Sequence, residues 1–232
     1  MSTALIVGHP DLTASRVNAA LTAAAVGLPA VDIRILSSLS ENGAFDIEAE
    51  QAALSLADDI VLLYPTYWYS TPAPLKRWLD EVLQRGWAYG TGERGALAGK
   101  SLRIVTTTGG TAAGYSVGEL HSFEYDAILA PLKATAHRLG MRWLDPLVIH
   151  GVRDLDDPAL HSLTTRFRLL LTATAGDADL IQHTSGKRSH AASPGHWRPR
   201  SADSYPQSQG TTPAIGGNPP HRLSATGTEG SR

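Results

Sequence analysis

The stretch TTTGGTAAGYSVGELH, Thr106–His121, sets hydroxyls and glycines ahead of a phenol and an imidazole, Tyr115 and His121, six positions apart. A phenol and a titratable imidazole can stabilise negative charge as it develops on a bound ring. They can equally pin a loop. Thr107, Thr108, Gly109 and Gly110 would let backbone approach a ligand closely, because glycine interposes no side chain. A second stretch, GHPDLTASRVN, places Ser15 where it can cap a helix, with Asn18 one turn in and the positive Arg16 between. Free N–H groups at a helix start favour phosphate, although Ser-x-x-Asn caps helices in any protein. His9 in that stretch is weaker evidence, since a lone histidine often only bonds neighbouring backbone. A third stretch, YPTYWYSTPAP, runs Tyr67, Trp68 and Tyr69 together between prolines. Aromatics usually pack in cores. An exposed flat platform would instead suit a flat ring, with the N–H groups of Thr66–Tyr69 aimed at its edge by the fixed chain around Pro65.

Such residues need elements to carry them to one place, and the first 182 residues alternate between strand and helix patterns. TALIVG and IVLLY are continuous apolar stretches, the mark of strands buried on both faces, and Ser101 to Thr106 reads as a fourth strand. VDIRIL alternates and suits a strand nearer an edge, and Arg142–Ile149 reads as a fifth strand. Helices are expected over Ser15–Val26, from a cap at Asp46 to Ala57, over Pro74–Gln84, Asp126–Leu139 and Pro158–Leu171. Alternating strands and helices imply an α/β fold: an open five-stranded parallel sheet with helices on both faces, flavodoxin-like, in the order 2-1-3-4-5. Ligands of such sheets bind beyond the carboxyl ends of the strands where the order reverses. The loops after strands one, three and four are therefore the place to look, and they are the three stretches above.

Bulk composition narrows the chemistry. The 232 residues fit one domain plus a tail, with 42% hydrophobic residues to fill a core. A net charge of −2 gives no pull toward nucleic acid. There is no cysteine, which removes disulfides, thiolate metal sites and thiol catalysis and fits a cytoplasmic setting. Nine histidines lack paired-ligand spacing, so no metal is expected. MSTALIVGHP has neither the basic start nor the cleavage site of a leader, and no apolar run nears the ~18–20 residues that span a bilayer. The domain is expected over 1–183. Residues 184–232, rich in Ser, Gly, Pro, Thr and His, read as a disordered tail. The G-x-G-x-x-G at Gly90–Gly95 neither follows a strand nor opens a helix, and ALAGKS at Ala96–Ser101 precedes a strand, so neither is read as a nucleotide motif. No G-x-S-x-G supports a hydrolase.

The motifs HP-x4-S-x-x-N, then P-x-x-W-Y with an LK-x-W helix and GWAYG, then TTGG-x4-Y-x5-H, occur in this order. Together they resemble the flavodoxin-like NAD(P)H:quinone oxidoreductase family, which includes DT-diaphorase and the ancillary quinone reductase of glutathione-regulated potassium efflux. The likeness covers roughly residues 1–150. It implies a flavin, FAD or alternatively FMN, with NAD(P)H as donor and a quinone or similar ring as acceptor. It implies ping-pong, two-electron hydride transfer through flavin N5. On that resemblance His9, Ser15, Arg16, Val17 and Asn18 hold the ribityl and phosphate groups. Pro65, Thr66, Tyr67, Trp68 and Tyr69 lie along the ring, and Thr107, Thr108, Gly109 and Gly110 at its pyrimidine side. Tyr115 and His121 would steady the reduced flavin's charge, and with Tyr89, reaching from the other protomer of a homodimer, would line the substrate pocket. Tyr67 departs from the glutamine common in relatives. The resemblance also raises an alternative role, a flavin-bearing regulatory subunit bound to a potassium-efflux transporter at the inner face of the membrane.

Overall fold

The computed structural model describes residues 1–39, 44–90 and 95–172, so the expected tail at 184–232 and its boundary lie outside the described residues. Strand β1 (Thr3–Val7) pairs in parallel with β2 (Val31–Ile35) and β3 (Asp59–Pro65), and β3 with β4 (Ser101–Thr107). The expected fifth strand is split. Strand β5 (Arg142–Trp143) pairs with Ser101–Leu102, and β6 (Leu147–Ile149) with Val105–Thr107. The break falls at Asp145–Pro146. Proline offers no N–H to the ladder, and the Asp145 carbonyl is drawn to Arg103 Nη1 at 2.8 Å. The order is β2-β1-β3-β4-β5, as expected, with β6 also on β4.

The continuous apolar runs are explained by what covers them. Ala4, Ile6, Ile60, Leu62, Leu102 and Ile104 face one core, while Leu5, Val7, Val61, Leu63 and Val105 face another. The first core takes α3 (Ile47–Leu56), α4 (Ala73–Val82) and α6 (Ala130–Arg138), through Leu54, Leu75, Trp78, Val82, Leu132 and Ala136. The second takes α1 (Arg16–Ala25) and α7 (Asp157–Thr172), through Val17, Leu21, Phe167 and Leu171. A short α2 (Leu36–Leu39) follows β2 directly and buries Leu36. The helix expected over Asp126–Leu139 is broken into α5 (Tyr125–Ile128) and α6. Pro131 has no N–H for the carbonyl a turn back, so Leu129 closes α5 onto the Tyr125 and Asp126 carbonyls and α6 starts afresh.

One buried carboxylate clamps the first core. Glu50 on α3 is 2% exposed. It accepts from Arg34 Nε of β2 at 2.9 Å and from Trp78 Nε1 of α4 at 2.8 Å, and pairs through its other oxygen with Arg34 Nη2. A buried charge is tolerated when its oxygens are this fully used.

Candidate functional site

Strands β1, β3, β4 and β6 are parallel and end side by side, so the segments after Val7, Pro65, Thr107 and Ile149 share one edge of the sheet. A cavity of about 530 Å³ opens there, within the usual size range of ligand sites. It is lined by His9, Pro10, Asp11, Ala14, Ser15, Arg16, Val17, Asn18, Pro65, Thr66, Tyr67, Thr107, Thr108, Gly109, Val152 and Arg153. Residues of all three stretches singled out in the sequence thus meet in one hollow.

At its α1 end, Ser15 caps the helix by accepting from the Asn18 N–H at 3.2 Å. The Asn18 side chain, 3% exposed, donates to Ser15 Oγ at 3.2 Å and across to Thr107 Oγ1 of β4 at 3.0 Å. That bond ties the first loop to the last residue of β4. Asn18 Oδ1 is buried without a partner, an acceptor waiting for a donor such as a ligand hydroxyl. The first-turn N–H groups of Arg16 and Val17 have no helical acceptor, which suits an anion. The Arg16 guanidinium contributes less than expected. It turns away to the Leu155 carbonyl at 2.5 Å and to Asp157.

His9 is more than the lone histidine of the sequence. Its Nδ1 accepts from the Asp11 N–H at 3.1 Å, which makes it the neutral, Nε2–H form. Burial pushes its pKa down, and nearby Asp11 only partly opposes that. The Asp11 carboxylate is held below its usual range, first by the Thr13 hydroxyl and then by the Ala14 N–H, as it caps the turn Leu12–Ala14.

The aromatic stretch forms a tight hairpin turn. Tyr67 and Ser70 exchange both backbone hydrogen bonds at 3.1 Å, and between them Trp68 and Tyr69 have φ of 49° and 62°. Two successive positive φ values are usually left to Asn-Gly pairs, and each costs a side-chain-bearing residue about 1 kcal/mol or more. Strain of this kind concentrates at ligand clamps. It holds Trp68 92% exposed. The N–H groups expected to face a ligand are partly spent: Thr66 donates to the Thr107 carbonyl at 2.8 Å and Tyr67 to Ser70, leaving those of Trp68 and Tyr69. Thr66 Oγ1 bonds Thr106 Oγ1 at 2.9 Å and the Tyr125 hydroxyl.

Behind the glycines, Tyr115 and His121 stack at 4.0 Å with planes 19° apart. The Tyr115 hydroxyl bonds Thr108 Oγ1 at 2.6 Å, and His121 Nδ1 meets the Tyr69 hydroxyl at 3.3 Å. His121 Nε2 is buried with no partner. A Cβ on Gly110 would lie 2.4 Å from that nitrogen and 2.9 Å from Tyr115 Cε2, so only glycine permits the stack. Tyr115 and His121 therefore join the two loops beside the cavity and do not line it. Tyr89 is not brought to this cavity. It sits in the turn Gly86–Gly90 beneath the Arg138 guanidinium, 5.2 Å from its ring centre.

Sequence reasoning missed the loop after β6. It brings Val152 and Arg153 to the cavity, and His150 to the aromatic group, 5.4 Å from the rings of both Tyr115 and Tyr125. Burial pushes the His150 pKa down, and nearby His121 adds to the fall. The same sheet-edge rule that selected the other loops would have found this one, because the fifth strand ends at the same edge.

A family model for the flavodoxin-like fold matches residues 1–169. The chain is 40% identical over 164 residues to the glutathione-regulated potassium-efflux system ancillary protein KefF of Klebsiella aerogenes, covering 71% of this chain and 91% of that protein. Among solved structures, an NADPH-quinone reductase from P. pentosaceus is 31% identical with a TM-score of 0.68, over 75% of this chain and all of that one. General stress protein 14 of Treponema denticola, solved in complex with FMN, is 27% identical with a TM-score of 0.67, over 78% of this chain and 100% of that one.

Proposed function

This chain belongs to the flavodoxin-like fold family, and on that premise we propose that it is a flavin-dependent NAD(P)H:quinone oxidoreductase whose flavin sits in the sheet-edge cavity. The observation that carries the reading is the convergence of Asn18, Tyr67, Thr107 and Gly109 on one hollow, with a buried, unpartnered acceptor at Asn18 Oδ1. FMN is the preferred form, supported by the FMN complex of general stress protein 14, with FAD as the alternative. When bound, the flavin would supply two-electron hydride chemistry between NAD(P)H and a quinone or similar ring.

The chain's own residues bind, orient and tune. The Arg16 and Val17 N–H groups take the phosphate, and Asn18 Oδ1 takes a ribityl hydroxyl. Trp68 and Tyr69 give a flat surface and two free N–H groups. Gly109 and Gly110 let the opposite edge of the ring reach backbone. Tyr115 and His121, stacked behind Gly110, would answer the charge that reduction places on the ring. The homodimer, in which Tyr89 closes a neighbour's pocket, and the cytoplasmic location belong to the same proposal. Among the described residues, no helix is long and apolar enough to cross a membrane.

The experiment is simple. The purified protein should be yellow, release one flavin per chain on denaturation, and reduce a soluble quinone with NADH or NADPH. A colourless protein that takes up no added flavin refutes the reading. The 40% identity to a potassium-efflux ancillary protein favours a second role, binding and activating an efflux transporter. A transporter gene beside this one and co-purification of the two products would support it, whereas fast quinone turnover with no such neighbour favours the plain enzyme.

A further inference from the structure

Arg153 stands outside the roles just assigned. The loop that carries it runs beside the glycine loop: the Gly151 N–H donates to the Gly110 carbonyl at 3.0 Å and the Val152 N–H to the Thr108 carbonyl at 3.2 Å. This pairing sets the exposed Arg153 against Gly109, where a Cβ would lie 3.3 Å from Arg153 Nε and 3.5 Å from Cζ. The other charges lining the cavity are committed. Asp11 caps the turn after β1, and Arg16 is bound to Leu155 and Asp157. Arg153 makes no hydrogen bond or ion pair with any described residue, and the neighbouring Gly109 N–H is likewise unused. The cavity therefore has an uncommitted cation at its β4 end, beside an unused backbone donor.

We propose that Arg153 is a cofactor-tuning residue: its guanidinium, beside the Gly109 N–H, holds the negative charge that arises on the pyrimidine edge of the flavin on reduction. The inference rests on the flavin reading above. Placement decides between the two anionic parts of the cofactor. The phosphate is met by the start of α1, whereas Arg153 follows Gly151 and Val152, whose bonds to Gly110 and Thr108 carry the loop alongside Thr108–Gly110. A guanidinium bonded to an anionic oxygen is stronger than a neutral donor, and it favours only the charged, reduced form. The Tyr115 hydroxyl is already engaged with Thr108, so the cation supplies what the phenol alone does not.

The test compares the affinity of wild type, Arg153→Gln and Arg153→Lys for oxidised and reduced FMN, and for riboflavin, which lacks the phosphate. Arg153→Gln should bind oxidised FMN within about threefold of wild type and reduced FMN at least tenfold more weakly. That lowers the two-electron potential by about 30 mV for each tenfold. Riboflavin should show the same loss on reduction, and Arg153→Lys should recover most of it. Equal weakening of oxidised and reduced FMN with riboflavin unaffected would place Arg153 on the phosphate and overturn the proposal. Unchanged affinities throughout would also overturn it. Failure of wild type to take up any flavin is a different result, since it removes the site reading along with this one.

Discussion

Asn18 carries two duties in one side chain: its amide nitrogen bonds Ser15 and Thr107, and its oxygen is kept for a ligand. Asn18→Ala should lower the unfolding free energy by about 1–3 kcal/mol, because Thr107 loses a buried partner; urea unfolding measures it, and an unchanged midpoint would contradict the bond's importance. Trp68 illustrates the opposite exchange. Trp68→Gly relieves a positive φ and should leave the flavin-free protein up to about 1 kcal/mol more stable, while the protein purifies with less flavin. A variant that keeps both full flavin and the same stability would remove the platform. His121→Gln should slow flavin reduction while the flavin stays bound, and unchanged stopped-flow kinetics would take the imidazole out of the chemistry.

The elements that bring these residues together were mostly legible in the sequence. TALIVG and IVLLY have no polar face, which only a sheet covered on both sides explains, and so they located the edge where the site stands. Ser15 and Asp46 read correctly as caps because capping is a local bond. What stayed hidden depends on contacts distant in sequence. Nothing in Tyr115 and His121 says that they stack, since the turn Ala112–Ser122 and the space at Gly110 decide it. Nothing in TYWYS says that Trp68 and Tyr69 take positive φ, because aromatics are poor signals for such a turn. The loop of His150 and Arg153 was within reach of the edge rule but lacked a motif of its own. Glu50 stands by position as a first-turn charge of α3, yet it is the buried centre of a clamp between β2, α3 and α4, which no local pattern reveals. Removing it by Glu50→Ala leaves Arg34 half-stripped of its partner and should cost about 3 kcal/mol or more. A loss below 1 kcal/mol by urea unfolding would show the clamp to be idle.

For the molecule as a whole, acidification is informative. His9 and His150 have pKa values below the ordinary 6.5 through burial, so the unfolded chain binds protons that the folded chain refuses. Stability from these two groups is complete above about 6.5 and falls as the pH drops below it. The depressed carboxyl of Asp11 acts in the same direction but only at lower pH, near and below its usual 3.8. Thermal midpoints should therefore fall between pH 7.5 and 5.5, and less so in His150→Phe; a flat profile would contradict this. Assembly is testable too. Gel filtration should give a dimer, and a fully active monomer would leave Tyr89 without its place. The claim on which the rest depends is that the sheet edge is a flavin site, and titrating FMN into the flavin-free chain tests it most directly. One FMN per chain should bind, with at least tenfold weaker binding in Asn18→Ala; no binding, or equal binding by the two proteins, would contradict it.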